Sequence, residues 1–160
     1  MHPTRRAPSL AFSLLALPAF AADLTVRIAD IPSAQGSIMV AVYDGPASFL
    51  RRPVESARAN AAAGTGGLVI KGPPAVQAAP ANPAAGAVDI VIKDLPAGGY
   101  GVAVFHDANG NGKMDRNFMG IPVEDHAFSN NARGTMGPPS FDQVKFSLPD
   151  AGATATISLR

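Results

Sequence analysis

Apolar and polar residues alternate in several short segments of the chain after residue 23, which is the pattern of β-strands with one buried face. In AVDIVIKDL, for example, Val88, Ile90 and Ile92 fall on one face, while Asp89 and Lys93 fall on the other. Seven segments carry such a pattern: LTVRIAD from Leu24, GSIMVAVYD from Gly36, LVIKG from Leu68, AVDIVIKDL from Ala87, YGVAVFHD from Tyr100, FDQVKFSL from Phe141 and ATATISL from Ala153. The sequence therefore predicts an all-β fold, a single antiparallel β-sandwich of about seven strands.

Little of the chain is predicted to be helical. The best helical candidate is PASFLRRPVESARANAAA, but Pro53 in its middle limits it to one or two short turns. Residues 72–87, GPPAVQAAPANPAAGA, are rich in Pro and Ala and predict a flexible surface loop. We interpret this segment as a loop within one domain, residues 22–160, because the residues before it contain too few strands for a separate domain.

Residues 1–21 have the organisation of a cleaved signal peptide. Arg5 and Arg6 precede an apolar run from Leu10 to Phe20, and the small residues Ala19 and Ala21 fit a signal peptidase site. The run is too short to span a bilayer, which takes about 20 residues. We therefore expect a periplasmic or secreted protein that begins near Ala22 and has no transmembrane anchor; the route of export, general secretion or twin-arginine, stays open.

Charge and cysteine content exclude several classes of function. The chain has 13 Lys and Arg against 12 Asp and Glu, and setting Arg5 and Arg6 aside leaves 11 against 12, so a nucleic-acid partner is not expected. There is no Cys, which excludes disulfides, thiolate zinc sites and cysteine nucleophiles.

The strongest chemical signal is a candidate calcium loop, D-x-N-x-N-G-x-x-D. Its positions 1, 3, 5 and 9 are Asp107, Asn109, Asn111 and Asp115, and the carbonyl of Lys113 is available at position 7. Position 12 is Phe118 where an EF-hand has Glu, so the ligand set would need Glu124 or Asp125 from farther along the chain.

A metal-free interpretation of the same residues stays open. Asn-Gly pairs are the strongest short signal for a tight hairpin turn, so NGNG could serve only to reverse the chain. A turn alone does not require both Asp107 and Asp115, which favours the cation.

Two other site chemistries are alternatives. A small envelope hydrolase could use His106 or His126, although no nucleophile motif accompanies them, and an enzyme is not the favoured interpretation. A copper-handling protein could use these histidines together with Met114, Met119 and Met136, although no M-x-x-M or H-x-H spacing is present.

Several sequence blocks carry a family resemblance. GSIMVAVYD, LPAGGYGVAV, HDANGNGKMD, NFMGIPVE, FSNNA and GPPSFDQVKF, in this order over about residues 36–159, resemble the exported bacterial family called domain of unknown function 2141. The resemblance implies a small secreted β protein and brings no assigned activity. His126 and Ala127 stand where the family usually has an aromatic residue and a glycine.

More distantly, LPAGGYGVAV is similar to a turn and strand of transthyretin-like and collagen-adhesin B-type sandwich domains. Some adhesin repeats of that type carry a Lys-Asn crosslink between their first and last strands. LTVRIAD has no Lys and ATATISLR has no Asn, so that crosslink is not expected here.

Taken together, the sequence predicts an exported binding or structural module with a structural calcium ion. Its partner would be an envelope or extracellular ligand or protein whose identity the residues do not indicate.

Overall fold

The structure, a computed structural model, describes residues 21–60, 68–71 and 86–159. Within them the strands are β1 (Ala21–Ala29), β2 (Ser37–Tyr43), β3 (Glu55–Asn60), β4 (Leu68–Lys71), β5 (Ala87–Pro96), β6 (Gly98–Asp107), β7 (His126–Phe128), β8 (Phe146–Leu148) and β9 (Ala153–Ser158). Helical structure in the described residues is limited to a 3₁₀ turn, Ser129–Asn131, and one helix of four residues, α1 (Phe141–Val144).

The strands form two sheets. The first has the order β4-β5-β1-β9, with β1 antiparallel to β5 but parallel to β9, and β4 parallel to β5. The second has the order β3-β2-β6-β7, and β8 pairs with the start of β6. All pairings in the second sheet are antiparallel.

The inward faces of the two sheets share one apolar core. Leu24, Val26 and Ile28 from β1 are fully buried. They belong to the same cluster as the buried residues of β5, β2 and β6: Val88, Ile90, Ile92, Ile38, Val40, Val42, Val102 and Val104. The predicted all-β sandwich is therefore confirmed, because alternation with a period of two puts about every second residue of β1, β2, β5 and β6 on the buried face.

Two segments differ from their predicted structure. FDQVKFSL was expected to be one strand, but its first four residues form α1, which begins with a capping box between Ser140 and Gln143, and only β8 is extended. The best helical candidate instead contains β3, in which Ala57 and Ala59 are buried while Arg58 is less so. Alanine alternation is a weak strand signal, because alanine has low β-propensity.

Other expectations fall on residues that the structure does not describe. The predicted signal peptide lies outside the described residues except for Ala21, and the predicted loop at 72–87 lies outside them except for Gly86 and Ala87. Within the described ranges, no helix is long and apolar enough to cross a membrane.

Candidate functional site

The candidate calcium loop begins at the last residue of β6. Asp107 pairs with Ser37 at the start of β2, so the loop leaves the second sheet next to the turn that precedes β2. Gly36 in that turn has a φ of +72°, and a Cβ at this position would overlap the carbonyl oxygen of Asp107. Glycine is therefore required where the turn and the loop meet.

The Asp107 carboxylate is fully buried, with an exposed fraction of 0%. Its Oδ1 accepts a hydrogen bond from the backbone N–H of Asn111 at 3.0 Å, and its Oδ2 accepts one from Gly112 at 2.8 Å. The guanidinium of Arg58 lies 3.9 Å from Oδ2. The buried charge is thus compensated by two N–H donors and one nearby cation, as a buried carboxylate requires.

The two loop asparagines fold the loop around Asp115. Oδ1 of Asn109 accepts from the N–H of Asn111, and Oδ1 of Asn111 accepts from the N–H of Lys113, at 3.0 and 2.8 Å. Their amide nitrogens donate to the two oxygens of Asp115, at 2.6 and 2.9 Å. Both side chains therefore turn the chain and bind the second carboxylate.

Glu124 closes the loop. Its Oε1 accepts from the N–H of Ala108 at 3.2 Å and its Oε2 accepts from the N–H of Asp115 at 3.0 Å. This carboxylate therefore joins the beginning and the end of the loop, although it is nine residues beyond Asp115 in sequence. Asp125, the other residue considered for this role, is exposed, and its carbonyl oxygen accepts from the N–H of His106.

The structure brings the six predicted site residues into one hydrogen-bonded loop: Asp107, Asn109, Asn111, Lys113, Asp115 and Glu124. The oxygens of Asp107, Asp115 and Glu124 accept from N–H groups, and Lys113 contributes its own N–H while its side chain is exposed. Among the described residues, no group of three or more His, Asp and Glu side chains is disposed to hold a metal ion.

The two histidines do not share a site. The ring of His106 is buried and its Nε2 lies 2.7 Å from the carbonyl oxygen of Gln35. His126 pairs with Phe105 across the strands, so its side chain is on the opposite face of the sheet from that of His106. Its ring instead packs edge-on against Phe128, with 6.1 Å between the centroids.

The serines and methionines near these histidines in sequence have structural or exposed positions. Ser129 is buried and bonded to the backbone of Val102 and Val144, and Ser140 caps α1. Met119 and Met136 are exposed on separate loops. Met114 is partly buried. In the part of the chain that the structure describes, neither serine is hydrogen-bonded to a histidine.

Sequence reasoning missed Arg58 and Ser37, which support the loop from β3 and β2. Nε of Arg58 donates to Oγ of Ser37 at 2.9 Å, which holds the guanidinium beside Asp107. The signal that could have identified Arg58 is its place between Ala57 and Ala59, a short alternation that the proline-containing segment obscured.

Comparison with known proteins identifies the family. A family model described as "Uncharacterized protein conserved in bacteria (DUF2141)" matches residues 26–157, which include every element from β2 to β8 and the whole loop. No curated protein and no solved structure matches the chain. The resemblance seen in the sequence blocks is therefore confirmed, and the chain belongs to the DUF2141 family of bacterial proteins.

Proposed function

We propose that the protein is an exported β-sandwich binding module whose loop from Asp107 to Asp115, completed by Glu124, binds calcium. The observation that supports this proposal most is the position of Glu124, whose two oxygens accept from the N–H groups of Ala108 and Asp115. Glu124 therefore places a third carboxylate beside the loop. A calcium site needs this carboxylate, because the sequence lacks the Glu that an EF-hand has at position 12.

The charge of the loop also supports a cation. Asp107, Asp115 and Glu124 carry three negative charges, and the nearest cation in the described residues is Arg58, 3.9 Å from Asp107. The hydrogen bonds of Asp115 come from neutral amides. A divalent cation with hard oxygen ligands would offset the charge of Asp115 and Glu124 better than neutral donors do.

Binding requires a local rearrangement of the loop. The amide nitrogens of Asn109 and Asn111 now face Asp115, so their oxygens would have to turn toward the ion and give up bonds to backbone N–H groups. This exchange lowers affinity, and we expect a dissociation constant in the extracellular range of about 10⁻⁴–10⁻³ M. Magnesium should bind less well, because it demands octahedral geometry and gives up its waters reluctantly.

Thermal unfolding of chelator-stripped protein tests the calcium site. With a dissociation constant of about 10⁻⁴ M, about 10 mM calcium should stabilise the fold by roughly 2.7 kcal/mol and raise the melting temperature by about 5–10 °C. Asp115→Asn should lose this shift. Asp125→Asn is the matched control, since it removes the same charge from an exposed residue outside the hydrogen-bonded loop, and it should keep the shift.

Two results would overturn the calcium proposal. One is an identical melting temperature of the stripped wild-type protein in chelator and in calcium, which would leave the metal-free turn as the explanation of NGNG. The other is an equal loss of the shift in both variants, which would mean that calcium acts on net charge and not on this loop.

Export is the second part of the proposal. The buried alternation of β1 starts at Ala22, so cleavage after Ala21 would remove only the first residue of that strand. Intact mass of the protein recovered from the bacterial envelope or medium measures where the mature chain begins. A soluble product that retains Arg5 and Arg6 would contradict the signal-peptide interpretation.

A further inference from the structure

A short hairpin directly after the loop exposes an apolar tip. Arg116 and Pro122 form its bridge, and we call residues 116–123 the apolar hairpin. The large apolar side chains that it exposes are Phe118 (98% exposed), Met119 (68%), Ile121 (53%) and Val123 (62%). Four large apolar residues exposed together in eight positions are unusual for a surface that contacts only water.

The backbone of the apolar hairpin is hydrogen-bonded internally at its tip. The N–H of Asn117 donates to the carbonyl of Ile121, and the N–H of Gly120 donates to that of Asn117, both at 2.9 Å. The side-chain oxygen of Asn117 accepts from the N–H groups of Met119 and Ile121, at 2.9 and 3.0 Å. The guanidinium of Arg116 donates to the carbonyl of Gly120 at 2.9 Å.

These bonds reduce the cost of moving the tip out of water. Of the five N–H groups in residues 117–121, the four just named already have partners within the hairpin. Moving an irregular segment from water into an apolar medium costs free energy mainly because its unpaired backbone groups lose their hydrogen bonds to water. The same bonds hold Phe118 and Met119 in one arrangement before any contact is made, which lowers the entropic cost of binding.

We propose that the apolar hairpin inserts its tip into the interfacial layer of a lipid bilayer. Phe118 and Met119 would lie at the boundary of headgroups and acyl chains. The charged residues that flank the tip in sequence are Lys113 and Arg116 on the positive side and Asp115, Glu124 and Asp125 on the negative side. They do not make a positive surface, so the apolar side chains alone would drive the insertion. The proposal does not rest on calcium, because every hydrogen bond cited for the hairpin joins groups of residues 116–121, none of which is a predicted calcium ligand.

The size of the tip favours a lipid surface over a protein partner. Its exposed apolar side chains offer on the order of 500 Å², whereas a stable protein interface buries about 800 Å² on each partner. A narrow projection suits shallow insertion into a fluid interface, which has no fixed shape to match.

A tryptophan reporter tests the proposal directly, since the chain contains no Trp. Phe118→Trp in the full mature chain should shift its emission to shorter wavelength on mixing with vesicles of phosphatidylcholine, which carry no net charge, and brominated acyl chains should quench it. The measurement is made in chelator, so that its result is independent of the calcium proposal.

Met136→Trp is the matched control. Met136 is also 98% exposed. Its loop joins the 3₁₀ turn to α1, and both of these elements pack against the start of β6, at the opposite end from Asp107. Its emission should not change with vesicles. In flotation of Trp-free protein, Phe118→Ser should reduce vesicle binding about tenfold or more, while Met136→Ser should leave it unchanged.

Three outcomes would overturn the proposal. The first is unchanged Phe118→Trp emission at every lipid concentration. The second is an equal response of the reporters at 118 and 136, which would indicate unspecific adsorption. The third is a shift of the Phe118→Trp emission with protein concentration in the absence of lipid, which would make the apolar hairpin a contact between two copies of the chain.

Discussion

The two ends of β6 are closed in different ways. At its start, Gly101 lies beneath α1, and an aromatic cluster is built from Tyr43, Phe49, Phe128 and Phe141, with 5.3–6.1 Å between neighbouring ring centroids. At its other end, roughly 20 Å away by strand rise, the chain is closed by hydrogen bonds around buried Asp107. We call these the aromatic end and the polar end.

The two ends should therefore differ in role, one contributing stability and the other responding to ions. Apolar burial at the aromatic end is not directional and does not depend on ions. The polar end depends on the charge and orientation of a few side chains, so an ion or a single substitution can alter it without disturbing the core. We therefore expect binding at the polar end, and we expect the aromatic end to anchor the fold.

The largest effect should come from the aromatic end. Phe141→Ala removes a buried ring that packs against Phe49 and Gly101, and we expect it to lower the free energy of unfolding by about 3 kcal/mol, measured by urea denaturation. Phe118→Ala makes the same deletion on an exposed side chain and should change stability little. Equal losses in the two variants would contradict the assignment of the core.

The next largest effect should come from the polar end in the absence of ions. In Asp107→Asn an amide nitrogen replaces one oxygen that accepts from an N–H group and faces Arg58, so we expect a loss of about 2 kcal/mol in chelator. Asp125→Asn is the control and should cost almost nothing. An Asp107→Asn protein as stable as wild type would mean that the buried carboxylate does not hold the loop.

A smaller loss of unfolding free energy is expected from Ser129, whose hydroxyl is hydrogen-bonded at the aromatic end. Ser129 accepts from the N–H of Val102 at 2.9 Å and donates to the carbonyl of Val144 at 2.5 Å. Ser129→Ala leaves both groups buried without this partner and should cost about 1–2 kcal/mol, measured by denaturation. Exposed Ser147→Ala should cost nothing measurable. A Ser129→Ala loss as large as that of Phe141→Ala would break the comparison, because it would make hydrogen bonding equally important at both ends.

The smallest effect should appear only at alkaline pH. Burial raises the pKa of the Tyr43 phenol above its ordinary value of 10.0. The tyrosine therefore ionises at a lower pH in the unfolded chain than in the folded one. The stability that the buried neutral phenol contributes is fully present below pH 10 and is lost as the pH rises through the folded-state pKa. Tyr43→Phe should be close to neutral at pH 7 and should flatten the fall in melting temperature above pH 10; an unchanged fall would assign it to other groups.

The sequence by itself determined the fold class, the family and the residues of the loop. Alternating β-branched residues in β1, β2, β5 and β6 bury one face wherever they pair, so their secondary structure follows from local pattern. The turn chemistry of Asn109 and Asn111 is also local, because their side chains bind backbone groups two residues ahead.

Only the tertiary structure decided how distant segments meet. The sequence left Glu124 and Asp125 as alternatives, and Glu124 reaches the loop because the apolar hairpin reverses the chain. Arg58 reaches Asp107 because β3 pairs with β2, and no local pattern encodes this contact. The parallel pairing of β1 with β9 likewise depends on where the chain returns after β8. The exposure of Phe118 also could not be predicted from the sequence, because an apolar residue does not indicate whether a distant segment will cover it.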